Sequence, residues 1–153
     1  MNALATALMA WIAAHSSYDT ATMPLPDIAL LTPEALTAEF YRDAPQDIPA
    51  SRVDARVIAL YSHEDGPHGT IFLLTPEPAW PGDDPLQDPI FQEQLLHELV
   101  HHAQRLSGVM DSWQCRNQGE REAYRLGGLF LARNHATDPL PNRAFWGEIY
   151  SRC

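Results

Sequence analysis

The chain has 153 residues, 45% hydrophobic and 20% charged, which is one domain's worth of ordinary globular sequence and excludes a disordered chain. Twenty acidic residues against ten basic ones give a formal charge of −10, so the basic footprint of a nucleic-acid binder is missing and an anionic membrane surface repels the protein. All ten basic residues are Arg, and without Lys both Schiff-base chemistry and the phosphate-loop lysine are excluded.

No run reaches the roughly 18 apolar residues that span a bilayer, so no transmembrane segment is expected. Residues 3–14, ALATALMAWIAA, have the length of a signal-peptide core, but the preceding Met-Asn carries no basic side chain. Leu4, Leu8, Trp11 and Ile12 recur at helical spacing and predict an amphipathic first helix of the folded domain. Thr22 to Leu31, with Pro24 and Pro26, reads as turn-rich. Thr32-Pro33-Glu34 then starts a helix, a hydroxyl at the N-cap and Pro at the first position, running to about Arg42. Pro45 and Pro49 mark a loop. Arg56–Tyr61 and Thr70–Leu74 are rich in branched and aromatic residues and predict two strands joined by HEDGPHG. Residues 76–85 hold four prolines and a glycine and predict irregular chain. Asp88-Pro89 opens a strong helix that continues to about Ser107 and stops at Gly108. After a loop carrying Cys115, a helix from Glu120 to Arg133 ends at Asn134, and Arg143–Tyr150 predicts a short last helix. The expected architecture is α+β: a small, mostly antiparallel sheet packed against helices, residues 1–153 forming a single domain.

The chemistry concentrates in HELVH, residues 97–101, inside the strong helix. Two His four positions apart stand one above the other on a helix face, so both imidazoles can reach one cation. Glu98 lies about 100° around from His97, beside such a cation and suited to act as a base on water. With His97 at zero, His101 falls at about 40° on the helical wheel. Leu95, Leu96, Leu99, Val100, Ala103 and Leu106 centre at about 220°, so the pair is not on the core stripe. The plain alternative is two His on a solvated face. His102 falls at about 140°, off the ligand side, and predicts a surface or supporting role.

A catalytic zinc site needs a third protein ligand and an open position. GEREAY, residues 119–124, offers Glu120 and Glu122. With Glu120 at zero, Ala123, Tyr124, Gly127, Phe130 and Leu131 gather within about 80° of it, so Glu120 sits on the inward, mostly apolar face. Glu122 falls at about 200°, beside Arg125 and Arg133, a solvated salt-bridge face. A carboxylate on an apolar face is costly unless paired, and a metal pairs it. Glu120 is therefore favoured over Glu122 as third ligand. Ala123 and Gly127 are small enough to let this helix approach the HELVH helix closely.

HELVH followed on the next helix by Glu120, in an E-x-x-A-Y run, resembles the gluzincin branch of zinc metallopeptidases. The longer pattern VIALY…GTIFLL…QLLHELVHHAQ…C…EREAYRL, about residues 56–131, resembles small bacterial zinc-peptidase-like domains. The resemblance implies a minimal zincin-like domain with zinc held by His97, His101 and Glu120. It implies metal-assisted hydrolysis of a peptide or protein substrate with Glu98 as general base. Tyr124 stands where many gluzincins carry an acid that supports the first motif His. It is a candidate for oxyanion stabilisation or for a supporting hydrogen bond, or is simply a buried aromatic. By analogy the TIFLL strand is expected at the sheet edge over the cleft, open to an extended peptide. A zinc-binding or interaction module without turnover is the alternative function.

Other residues carry less. Cys115 and Cys153 form either a disulfide or two free thiols, the bridge fitting an exported protein, periplasmic or secreted, and the thiols a cytoplasmic one. Asp83, Asp84 and Asp88 lack calcium-loop spacing and read as solvated turn acids. His63 and His68 flank the hairpin loop, surface positions that can line a cleft. Oligomeric state leaves no signature here.

Overall fold

Helix starts follow the local chemistry. Thr32 Oγ1 accepts from the Ala35 N–H at 3.3 Å ahead of Pro33, and Asp88 Oδ1 accepts from the Ile90 N–H at 3.0 Å ahead of Pro89. The computed structural model describes residues 1–77 and 83–153. Residues 78–82 of the proline-rich stretch expected to be irregular lie outside the described residues. In chain order the elements are α1 (Asn2–His15), β1 (Asp27–Leu31), α2 (Pro33–Phe40), β2 (Ala59–Ser62), β3 (Thr70–Leu74), α3 (Pro89–Leu106), α4 (Glu120–Arg133) and α5 (Arg143–Tyr150). Short 3-10 turns cover Pro45–Asp47, Pro85–Gln87, Val109–Ser112 and Arg116–Gly119. The α+β class is as expected, and α3 ends at Gly108 in the left-handed conformation, φ 74°.

The sheet differs from expectation in four ways. Its order is β1-β3-β2, with β1 parallel and β2 antiparallel to β3, so it is mixed rather than mostly antiparallel. Strand β1 falls in the segment read as turn-rich. It pairs with a strand far along the chain, as in the Ile28–Ile71 and Leu30–Leu73 pairs, and a parallel strand leaves no hairpin signal. The second strand covers Ala59–Ser62 rather than Arg56–Tyr61, because Asp54 takes Arg56 into a local turn. Asp54 Oδ1 accepts from the Arg56 backbone N–H at 3.0 Å and from its Nε at 2.9 Å. The TIFLL strand, β3, is central, and the edges are β1 and β2.

Ile71 and Leu73 point to the core, which also takes Ala5, Leu8, Met9 and Ile12 from α1. From α3 it takes Leu95, Leu96, Leu99, Val100 and Ala103, all fully buried. That is the apolar face read from the sequence, except for Leu106, which is exposed. Each of these Leu→Ala changes costs about 2–5 kcal/mol. Ala123, Leu126 and Phe130 of α4 complete the cluster. Helix α1 is thus built into the core, its buried stripe centred on Ala5 and Ile12 with Leu4 and Trp11 at its margins.

Of the two roles read for His102, surface or supporting, burial rules out the surface one, since His102 is fully buried. Its Nε2 donates to the Pro24 carbonyl at 2.8 Å and its Nδ1 accepts from the Tyr61 hydroxyl at 3.1 Å. It pins α3 to β2 and to the segment before β1, away from the other two imidazoles. Cys115 and Cys153 are joined as a disulfide with Cα atoms 5.8 Å apart, tying the chain end to the loop before α4. Among the described residues no helix is long and apolar enough to cross a membrane.

Candidate metal centre

Helix α3 raises His97 and His101 one turn apart on the face opposite its core stripe, and α4 begins at Glu120 directly across from them. The approach depends on missing side chains. A Cβ at Gly119 would run into the Gln104 amide and the Trp113 ring, and one at Gly127 into the Glu93 carboxylate. Glu120 Oε2 lies 3.1 Å from His97 Nε2, and Glu120 Oε1 lies 3.4 Å from His101 Nε2. One donor atom from each residue falls within 4.8 Å of the other two, and this is the group among the described residues that can hold a metal ion. Two donors each about 2.0–2.1 Å from a tetrahedral zinc stand about 3.3 Å apart, close to the 3.1 and 3.4 Å between Glu120 and the two imidazoles.

Glu122 is elsewhere. Its carboxylate accepts from the Tyr18 hydroxyl at 2.5 Å and from Arg125 at 3.3 Å, fastening α4 to the segment after α1. Of the two carboxylates, Glu120 is the one brought beside the imidazoles. Asp84 and Asp88 serve as local caps, accepting from the Leu86 and Ile90 N–H groups at 3.0 Å.

Gln104 closes the QLLHELVHHAQ run but has no role read from the sequence, yet it connects both ligand elements. Its Oε1 accepts from His101 Nδ1 at 2.9 Å, which leaves Nε2 facing Glu120. Its Nε2 donates to the Gly119 carbonyl at 3.0 Å, the residue before Glu120. Gln104 is fully buried, so both bonds are shielded from water. A signal is present, since Gln104 is three positions after His101 and so on a neighbouring part of the helix face. His97 is held by packing: the Tyr124 ring stands edge to face against it, with centroids 5.0 Å apart. Tyr124 is backed by Tyr150 at 5.8 Å, and the Arg143 guanidinium lies 5.8 Å from its ring centroid.

The electrostatics suit a cation. Burial raises the Glu98 pKa and outweighs the pull of the two imidazoles. Burial lowers the His101 pKa, but the Glu120 hydrogen bond and the Glu98 and Glu120 charges outweigh it and bring it up to about 9. Burial acts to raise the Glu120 pKa, yet hydrogen bonds from His101 and His97 hold it well below the usual carboxylate range. Burial, then the Glu120 charge, pushes the Tyr124 hydroxyl up to about 12.

Two cavities share His97 and Glu98, a smaller one of about 290 Å³ and a larger one of about 400 Å³, and a third of about 470 Å³ reaches Glu120. Ala59, His97, Glu98 and Glu120 line the first two. Leu60, Tyr61 and His63 line the first and Ile58 the second, so β2, not β3, is the edge strand beside the site. His63 is a cavity residue, while His68 stays exposed. Arg105 and Arg116, which no sequence motif marks, line the first cavity.

No curated protein and no solved structure matches the chain. Over residues 1–142, a span that includes His97, Glu98, His101 and Glu120, it matches the family described as a domain of unknown function, DUF6647, and it belongs to that family.

Proposed function

We propose that the protein is a zinc-dependent metallopeptidase in which His97, His101 and Glu120 hold the metal and Glu98 is the general base. The observation that carries this reading is convergence: two imidazoles and a carboxylate from separate helices meet at one point, with a buried Glu98 at the junction of two open cavities. Bound zinc supplies Lewis acidity, bringing the pKa of water from about 15.7 towards 7. Glu98, its proton affinity raised by burial, takes the proton as water attacks the peptide carbonyl and passes it to the departing amine. Tyr124 lines the larger cavity beside His97 and stays protonated, so its hydroxyl is the group available to donate to a developing oxyanion. The outer edge of β2 has no strand partner among the described residues and can pair with an extended peptide through main-chain hydrogen bonds. The Cys115–Cys153 disulfide supports an oxidising compartment, periplasmic or extracellular.

The test measures metal content, anomalous scattering at the His97/His101 pair, and hydrolysis of a peptide library by wild type and by Glu98→Gln. Stoichiometric zinc in both proteins and a loss of hydrolysis of about 10²–10⁴-fold in the variant is the expected result. Equal hydrolysis by both would defeat the assigned base. Absence of zinc from protein purified without chelator, and from protein offered zinc, would defeat the centre itself.

A further inference from the structure

Among the described residues, five of the ten arginines pair with carboxylates: Arg42, Arg56, Arg121, Arg125 and Arg143. Arg105 and Arg116 have no carboxylate partner among the described residues, and both open into the smaller cavity at the metal centre. The carboxylates that line this cavity, Glu98 and Glu120, make no ion pair with either arginine, so both guanidinium groups can receive an anion.

Both residues are exposed to solvent, and the chain around them sets where they stand. Arg105 follows His101 by one turn of α3, so the ligand face of the helix continues into it. Arg116 lies between Cys115, bonded to Cys153, and Asn117, whose side chain donates to the Arg152 carbonyl at 3.1 Å. Its Nη2 donates to His63 Nε2 at 3.0 Å. Burial and then the charges of Arg116 and Arg105 hold the His63 imidazole below its ordinary pKa, so it stays neutral and accepts that bond. The carboxylate nearest His63 is that of Glu64 at 3.6 Å, with its side chain 77% exposed and well solvated. On the other side of the centre, the cations of the larger cavity are already satisfied. Arg56 is held by Asp54, and Arg143 by Glu93 and Asp138, each at 2.7 Å.

We propose that the Arg105/Arg116 side of the metal centre binds a substrate carboxylate, either an acidic side chain or a free C-terminal carboxylate, close to the bond that is cut. This rests on the peptidase reading and names its substrate class. The cavity of about 290 Å³ includes Glu98, so an anion seated there lies within about one residue of the reacting carbonyl. Two guanidinium groups, each with a fork of donors, suit a carboxylate better than any neutral group.

Binding is measured with zinc-loaded Glu98→Gln protein, which separates recognition from turnover. Four fluorescent peptides of one neutral sequence serve as probes: with a free C-terminus, with an amidated C-terminus, amidated with one internal Glu, and amidated with one internal Arg. At least one carboxylate-bearing peptide is expected to bind about tenfold more tightly than the neutral amide. The preferred one identifies the source: the free acid alone means a C-terminal carboxylate, the internal Glu means an acidic side chain. The preference should collapse towards unity in Arg105→Gln/Arg116→Gln and reverse towards an Arg-bearing peptide in Arg116→Glu. Peptide binding with no charge preference, or a preference that survives the double change, overturns this inference and leaves the peptidase reading standing. Binding of no peptide, together with no cleavage by wild type, overturns both.

Discussion

Glu93 and His97 lie one turn apart on α3 and both meet α4, yet their charges are balanced in opposite ways. Glu93 is buried against a permanent cation: Arg143 donates to it at 2.7 Å and is held by Asp138 at 2.7 and 2.9 Å. That network is closed, with its strong donors and acceptors matched inside the protein. The His97/His101/Glu120 group, with Glu98 beside it, has no permanent cation in contact among the described residues, and metal-free it is balanced only by protons on imidazole. The first cluster is thus a clamp that positions α5 and Tyr124, whereas the second leaves a place for a divalent ion.

Breaking the clamp should cost most. Arg143→Met strands Glu93 in the interior and is expected to destabilise the fold by about 3–5 kcal/mol in urea unfolding. The double change Glu93→Leu/Arg143→Met should be less destabilising than Arg143→Met alone, because no unpaired charge is left buried. A double variant as destabilised as Arg143→Met, or more so, would mean that Arg143 acts through packing on Tyr124 instead.

The metal group responds next. Gln104→Leu keeps volume but removes the partner of His101 Nδ1 and of the Gly119 carbonyl. Zinc affinity, measured by competition with a chelating dye, is expected to fall about 10–100-fold. An unchanged affinity would show that the imidazole is oriented by helix packing alone.

A subtler contrast is protonic and separates the clusters by pH. The metal-free His101 pKa is raised from 6.5 to about 9, so its bond to Glu120 contributes stability fully below about pH 6.5 and loses it as pH rises through about 9. The Arg143 clamp does not loosen on that side. Asp138, its pKa lowered by the Arg143 hydrogen bonds, contributes above its ordinary value of 3.8 and is lost only as pH falls below it. Zinc uptake at about pH 7.5 should therefore release about one proton, read as a dependence of calorimetric heat on buffer ionisation enthalpy. Heat independent of buffer would mean that His101 is already neutral.

Much of this is written locally. Helix α3 is legible from Asp88-Pro89 at its start, Gly108 at its end and an apolar stripe between, since each signal acts within a turn of the chain. The opposition of His97 and His101 to that stripe, and the inward angle of Glu120, are likewise consequences of the helical period. Three features were decided only in three dimensions. Strand β1 exists because β3 offers it a parallel partner, and pairing at that distance leaves no mark in DIALL itself. The same docking makes β3 central and puts β2 at the site. His102 is buried because Pro24 and Tyr61 converge on it from other elements, and Gln104 joins His101 to Gly119 across 15 positions of chain. Local spacing determines which way a side chain leaves its helix; what waits there depends on contacts between distant segments, and these are set by how the core packs.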